Sequence, residues 1–137
     1  MRKMTEKAEI TVRTKLYRTE SQKNVEEAVR NLFPDANFEG TKKNDEERGK
    51  DTELVAHAGE ESVERLRELI DRQEINETAY EKLHEAKLGD TLAFSLSKQP
   101  AAVGRLNFDV GGHELGALHV RVETEKPEAF VEYVTQP

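Results

Sequence analysis

The sequence predicts an α+β fold: a mainly antiparallel sheet with helices on one face. Three observations carry this. Apolar residues alternate with polar ones around 10–16, 92–96, 106–110 and 118–122, the period of a half-buried strand. Val25, Ala28, Val29 and Leu32, and again Val63, Leu66, Leu69 and Ile70, recur at helical spacing. The consecutive strands are joined by short connections, which demand antiparallel neighbours and leave the helices to cover one face. The predicted order is strand, helix, two strands, one or two helices, three strands and a short helix, in a single domain over 1–137.

Each element has a local reason. Over 8–19, Ile10, Val12, Thr14 and Leu16 fall on one side of a strand, and Thr11, Arg13, Lys15 and Tyr17 on the other. Ser21 or Asn24 is a candidate cap for the helix that follows, and Pro34 stops that helix near Phe33. Residues 36–41 form a short strand with Phe38 inward. Lys42 to Lys50 reads as an exposed hairpin loop, and 52–58 as a second strand. After Gly59 comes the second helix, with Glu60, Glu61 and Glu64 at its start, where the helix dipole favours acids. A further helix is expected within 74–88, capped by Asn76 and stopped by Gly89. Leu92, Phe94 and Leu96 form a strand that Lys98-Gln99-Pro100 breaks in a turn, with Pro100 holding Gln99 extended. Leu106, Phe108 and Val110 form the next strand, Gly111-Gly112 a turn, and Leu118, Val120 and Val122 the last strand. Pro127 opens the final helix.

Composition excludes several classes of function. There are no cysteines, hence no disulfides, thiolate nucleophiles or cysteine-held metals. No apolar run approaches the roughly 20 residues that span a bilayer, and residues 1–10 lack a secretory apolar segment, so a cytoplasmic protein is expected. Net charge is −7, unevenly spread. Residues 1–30 hold eight Lys/Arg against five Asp/Glu, whereas 39–85 hold eight against fifteen.

No catalytic constellation emerges. His113 and His119 flank Glu114, but the spacing matches no metal-ligand motif. The glycines form no phosphate loop, and Ser95 and Ser97 have no nucleophile-elbow context. Acid clusters such as Asp45-Glu46-Glu47 fit solvated loops. The expectation is a protein that is not an enzyme, with no metal and no cofactor.

The surface that draws attention is the sheet face away from the helices. Alternation turns Arg13, Lys15 and Tyr17 outward, with Ser95, Ser97, Arg105, Asn107, His119 and Arg121. If the strands are neighbours, that face is basic and polar, with Asp109 and Glu123 at strand ends. Such a face suits contact with RNA phosphates. Only Tyr17 is available for base stacking, so binding would lean on the backbone and shape of the RNA. The same open face, or a sheet edge, also suits pairing with a second copy as a homodimer, which the net charge fits equally well.

Residues 94–108, Phe-Ser-Leu-Ser-Lys-Gln-Pro-Ala-Ala-Val-Gly-Arg-Leu-Asn-Phe, carry a resemblance. The segment resembles the Phe-x-Leu-Asn-Lys-Gln-Ala-Ala-x-x-Gly-x-x-Asn-Phe run of an uncharacterised archaeal protein family of the UPF type. Thr19-Glu20-Ser21, Leu32-Phe33-Pro34 and Glu114-Leu115-Gly116 extend the match over most of the chain. The resemblance implies a fold like that of ribosomal large-subunit protein five. It also implies RNA binding, with a link to RNA processing as a predicted exosome subunit. Ser97 and Pro100 depart from the family's Asn and Ala. Residue by residue, Lys98, Gln99, Arg105 and Asn107 are the RNA-contact candidates from this segment, supported by Arg13, Lys15, Arg121 and Tyr17.

Overall fold

The computed structural model describes residues 7–39, 52–109 and 116–137. In chain order the elements are β1 (Ala8–Leu16), α1 (Gln22–Leu32), β2 (Asn37–Phe38), β3 (Thr52–Ala58), α2 (Glu60–Arg72) and α3 (Asn76–Glu85). There follow β4 (Lys87–Leu88), β5 (Thr91–Ser97), α4 (Lys98–Ala102), β6 (Ala117–Thr124) and α5 (Pro127–Thr135). The six strands form one open sheet in the order β2-β3-β1-β6-β5-β4, every pair antiparallel. The predicted α+β architecture is the one observed.

Period two decides which way the sheet faces. Ile10, Val12, Thr14 and Leu16 of β1 are buried, while Glu9, Arg13 and Lys15 are exposed. Leu54 and Ala56 of β3 and Leu118, Val120 and Val122 of β6 share the buried side. The helices cover it with matching stripes. Val25, Ala28, Val29 and Leu32 line α1, Val63, Leu66, Leu69 and Ile70 line α2, and Phe130, Val131 and Val134 line α5. Each fully buried large side chain contributes roughly 1.5–3 kcal/mol. Leu16, Val25 and Leu54 make a smaller cluster at one end, against Phe38.

Helix ends are fixed by identifiable groups. Ser21 caps α1, its hydroxyl accepting from Asn24 N–H at 3.4 Å. The start of α2 is capped from a distance: Asp35 accepts from Gly59 N–H at 3.0 Å and from the Ser62 hydroxyl. Asn76 does not cap α3 as expected. Its side chain donates to Thr135 C=O at 3.0 Å and ties α3 to α5.

Other expectations need correction. Gly89 does not stop a helix. With φ +60° it turns the tight hairpin between β4 and β5, a hairpin the sequence reading missed. Lys98-Gln99-Pro100 is no turn but the first turn of α4, behind Ser97 at its N-cap. Early in a helix the backbone N–H groups have no intrahelical partner, so Pro100 forfeits little and Gln99 is helical after all.

The predicted strand over 105–110 shrinks to one bridge, Leu96 to Phe108. The reason is a side-chain clamp. Gln73 donates to Leu106 C=O and accepts from Leu106 N–H, each at 2.8 Å, so the backbone of this buried residue is satisfied by the end of α2. Pairing with β5 begins only where Ser97 N–H meets Asn107 C=O and Asp109 N–H meets Ser95 C=O. Val110, the Gly111-Gly112 turn, His113 and the Lys42–Lys50 hairpin lie outside the described residues. No helix among the described residues is long and apolar enough to cross a membrane.

Candidate nucleic-acid interface

The uncovered face is built by register. Arg13 lies opposite Val55 on β3 and opposite His119 on β6, and Ser95 of β5 lies beyond His119. The next row runs His57, Thr11, Arg121 and Ala93. Lys15 lies opposite Glu53, and Glu9 opposite Glu123. The adjacency assumed from sequence therefore holds for β1, β6 and β5, and Arg13, Lys15 and Arg121 share one exposed face. Asn107 is also exposed, alongside Ser97 at the β5 edge.

The charges on this face are paired rather than uniformly basic. Arg13 Nη1 lies 3.1 Å from Glu53 Oε1, and Arg121 Nε lies 3.4 Å from Glu123 Oε1. His57 Nε2 lies 2.8 Å from Glu39 Oε1. Glu9, Glu53 and Glu123 match the three cations in number, so the described face is cationic at its centre and acidic at its margin. A shallow cleft of about 320 Å³ at that margin is lined by Glu9, Asp90, Glu123 and Glu125 around Arg121 and Lys7. From sequence Glu123 falls at a strand end, and nothing singles out Glu9 or Glu53 as part of this face. The alternation of 52–58 turns Glu53 outward. That it stands beside Arg13 depends on β3 pairing with β1, which no local pattern records.

Lys98 is not an exposed contact. It is buried, its Nζ donating to Lys15 C=O at 2.8 Å and to Glu20 at 3.1 and 3.3 Å. The same carboxylate accepts Tyr17 N–H at 3.0 Å. Tyr17 leaves the sheet after β1 and is half-buried between two ammonium groups, Lys15 at 5.4 Å and Lys98 at 5.3 Å from its ring centre. Its ring is engaged with lysines rather than offered as a stacking platform. Gln99 and Arg105 are exposed, but on α4 and in the loop after it; α4 is tied to Asn31 of α1 in the helix layer, so Arg105 does not join the open sheet face as expected.

Among the described residues no group of three or more His, Cys, Asp or Glu is arranged to hold a metal. His119 Nδ1 and Ser95 Oγ are 2.9 Å apart on the open face, an arrangement that depends on the pairing of β5 with β6.

Fold and face together define an open-sheet α+β protein, helices behind and polar strands in front. A family model described as RNA binding matches residues 9–124, and the chain belongs to that family, UPF0201. A UPF0201 protein of Pyrococcus horikoshii is 30% identical over 132 residues, covering 96% of this chain and 91% of its own length. A UPF0200/UPF0201 protein of Archaeoglobus fulgidus is 36% identical over 106 residues, 77% of this chain. This chain spans only 30% of that longer protein. The solved UPF0201 protein from Methanococcus jannaschii superimposes with a TM-score of 0.74 at 26% identity, covering 93% of this chain and 99% of that one.

Proposed function

We propose that the protein is a non-catalytic RNA-binding module that acts as a single cytoplasmic domain and contacts RNA with the uncovered face of its sheet. The observation that carries the reading is the gathering of Arg13, Lys15 and Arg121 with Thr11, Ser95 and Asn107 on a face that no described helix covers. Cations supply phosphate contact, and hydroxyl and amide groups supply hydrogen bonds to sugar and base edges. The family description supports it and names binding rather than a reaction. With Tyr17 engaged by lysines, recognition runs through the backbone of the RNA more than through base stacking. A place in RNA processing, beside the exosome, follows from the family resemblance.

Fluorescence anisotropy with a single-stranded and a hairpin RNA tests this. Three phosphate contacts predict a log–log salt slope of about −2 on a single strand. Salt-independent binding, or none to either RNA at low salt, overturns the reading.

A second reading is self-association. Leu88 on β4 is 81% exposed and Val103 behind α4 is 76% exposed, apolar surface that a second copy would cover. Sedimentation at high protein concentration separates the two readings.

A further inference from the structure

His119 occupies a singular position on the open face. It lies within β6 and is exposed. Its direct cross-strand neighbours are Arg13 on β1 and Ser95 on β5. Its diagonal neighbours are Thr11 and Lys15 on β1, and Ala93 and Ser97 on β5. Along β6 its same-face neighbours are Ala117 and Arg121. Every charged side chain next to His119 in this grid is therefore a cation. The carboxylates stand one step further out: Glu53 beyond Arg13 and Lys15, Glu123 beyond Arg121, and Asp109 beyond Ser95. His57, two strands away, is held by Glu39.

The Ser95 hydroxyl adds a second constraint. When it donates to Nδ1 of the neutral ring, the ring proton sits on Nε2, and when the ring is protonated both nitrogens carry one. In that tautomer and in the protonated ring Nε2 presents an N–H with no partner among the described residues; in the other neutral tautomer Nδ1–H donates to the Ser95 hydroxyl and Nε2 is an acceptor. A lone N–H donor ringed by three cations is a site for an anion. The face is open, so an extended polyanion fits it better than an enclosed small ion.

We propose that His119, anchored by Ser95 and ringed by Arg13, Lys15 and Arg121, seats one phosphodiester group of a bound RNA strand. The proposal rests on the RNA-binding reading and specifies where the strand crosses the sheet. A proton taken up by the ring adds a charge to the seat, so binding should tighten when the imidazole is protonated. One added charge about 4–5 Å from a phosphate in water is worth roughly a fourfold to sixfold gain in affinity.

The test uses the full chain and an octauridylate. Anisotropy at pH 7.5 and pH 6.0 is read for the native protein, His119→Gln and His57→Gln, with imidazole NMR resonances followed in parallel. His84, stacked on Tyr80 in α3 with 5.7 Å between ring centres, is the reference histidine. Expected are movement of the His119 ring on RNA addition and tighter binding at pH 6.0. His119→Gln should weaken binding several-fold and remove that pH dependence, while His57→Gln keeps it. If RNA binds but His119→Gln matches the native protein at both pH values, the seat is overturned and RNA binding stands. If the native protein binds no RNA at either pH, the RNA reading falls and takes this proposal with it. If the His119 resonances move with protein concentration instead of RNA, a second copy occupies the seat and the proposal is overturned.

Discussion

Lys98 reaches back 78 residues to Glu20, its Nζ 3.1 Å from Oε1 and its side chain 9% exposed. Glu20 closes the turn after β1 by accepting Tyr17 N–H, and Lys98 opens α4, so the pair pins two distant turns together. Hydrogen bonds to charged groups contribute about 1.5–3 kcal/mol, more when a partner is left buried and unpaired. Lys98→Met keeps the aliphatic stem and is expected to destabilise by about 2–3 kcal/mol in urea unfolding. Glu20→Gln retains an acceptor but leaves the buried Lys98 ammonium without its counter-charge, and should cost a comparable amount. A Lys98→Met variant as stable as the native protein refutes the structural role.

Gln73 makes both backbone hydrogen bonds of Leu106. Removing them strands a buried N–H and C=O. Gln73→Ala is expected to cost about 2 kcal/mol, each unsatisfied group accounting for at least 1. Hydrogen exchange gives the local check: the Leu106 amide should lose protection before those of β1 and β6. Unchanged Leu106 protection in the variant counts against the clamp.

Gly104 follows α4 with φ +77°, and an added Cβ would meet nothing within 4 Å. Gly104→Ala therefore carries conformational strain without a clash, a cost of about 1–2 kcal/mol. That corresponds to a fall of roughly 3–8 °C in Tm for a chain of this size. No change in Tm would mean that the loop relaxes out of the left-handed region.

What the sequence disclosed, and what it hid, divides along one line. Ile10-Val12-Thr14-Leu16 and Val63-Leu66-Leu69-Ile70 announce their faces because strand and helix periods are local. The outward set Arg13, Lys15 and Arg121 follows from the same alternation. Lys98 misled because a lysine reads as solvated until a distant carboxylate and carbonyl are known to surround its ammonium. Leu106 to Val110 alternates like a strand, yet whether Leu106 pairs with a strand or with Gln73 is decided 33 residues away. Pro100 read as a breaker because a proline's effect depends on its place in the helix, which sequence alone left open.

The glutamates on the open face bear on RNA directly. Glu53 holds Arg13 at 3.1 Å and Glu123 holds Arg121 at 3.4 Å, with all four side chains more than half exposed. Exposed pairs of this kind contribute about 0–1 kcal/mol, so a phosphate can take over either arginine at little cost. The carboxylates still repel the arriving polyanion. At about 5 Å in water each repulsion is worth roughly 0.8 kcal/mol before salt screening. The double variant Glu53→Gln, Glu123→Gln should thus bind single-stranded RNA about tenfold more tightly at low salt, with the gain shrinking as salt rises. Its unfolding free energy should stay within about 1 kcal/mol of the native value. Arg13→Gln with Arg121→Gln should weaken binding and flatten the salt slope by about 1.4, two phosphate contacts' worth on a single strand. Lys98→Met should leave that slope unchanged, because its ammonium faces Glu20 rather than solvent. Anisotropy over a salt series resolves all three variants. If the glutamate variant binds no better than the native protein at low salt, the RNA strand does not cross the sheet between these residues.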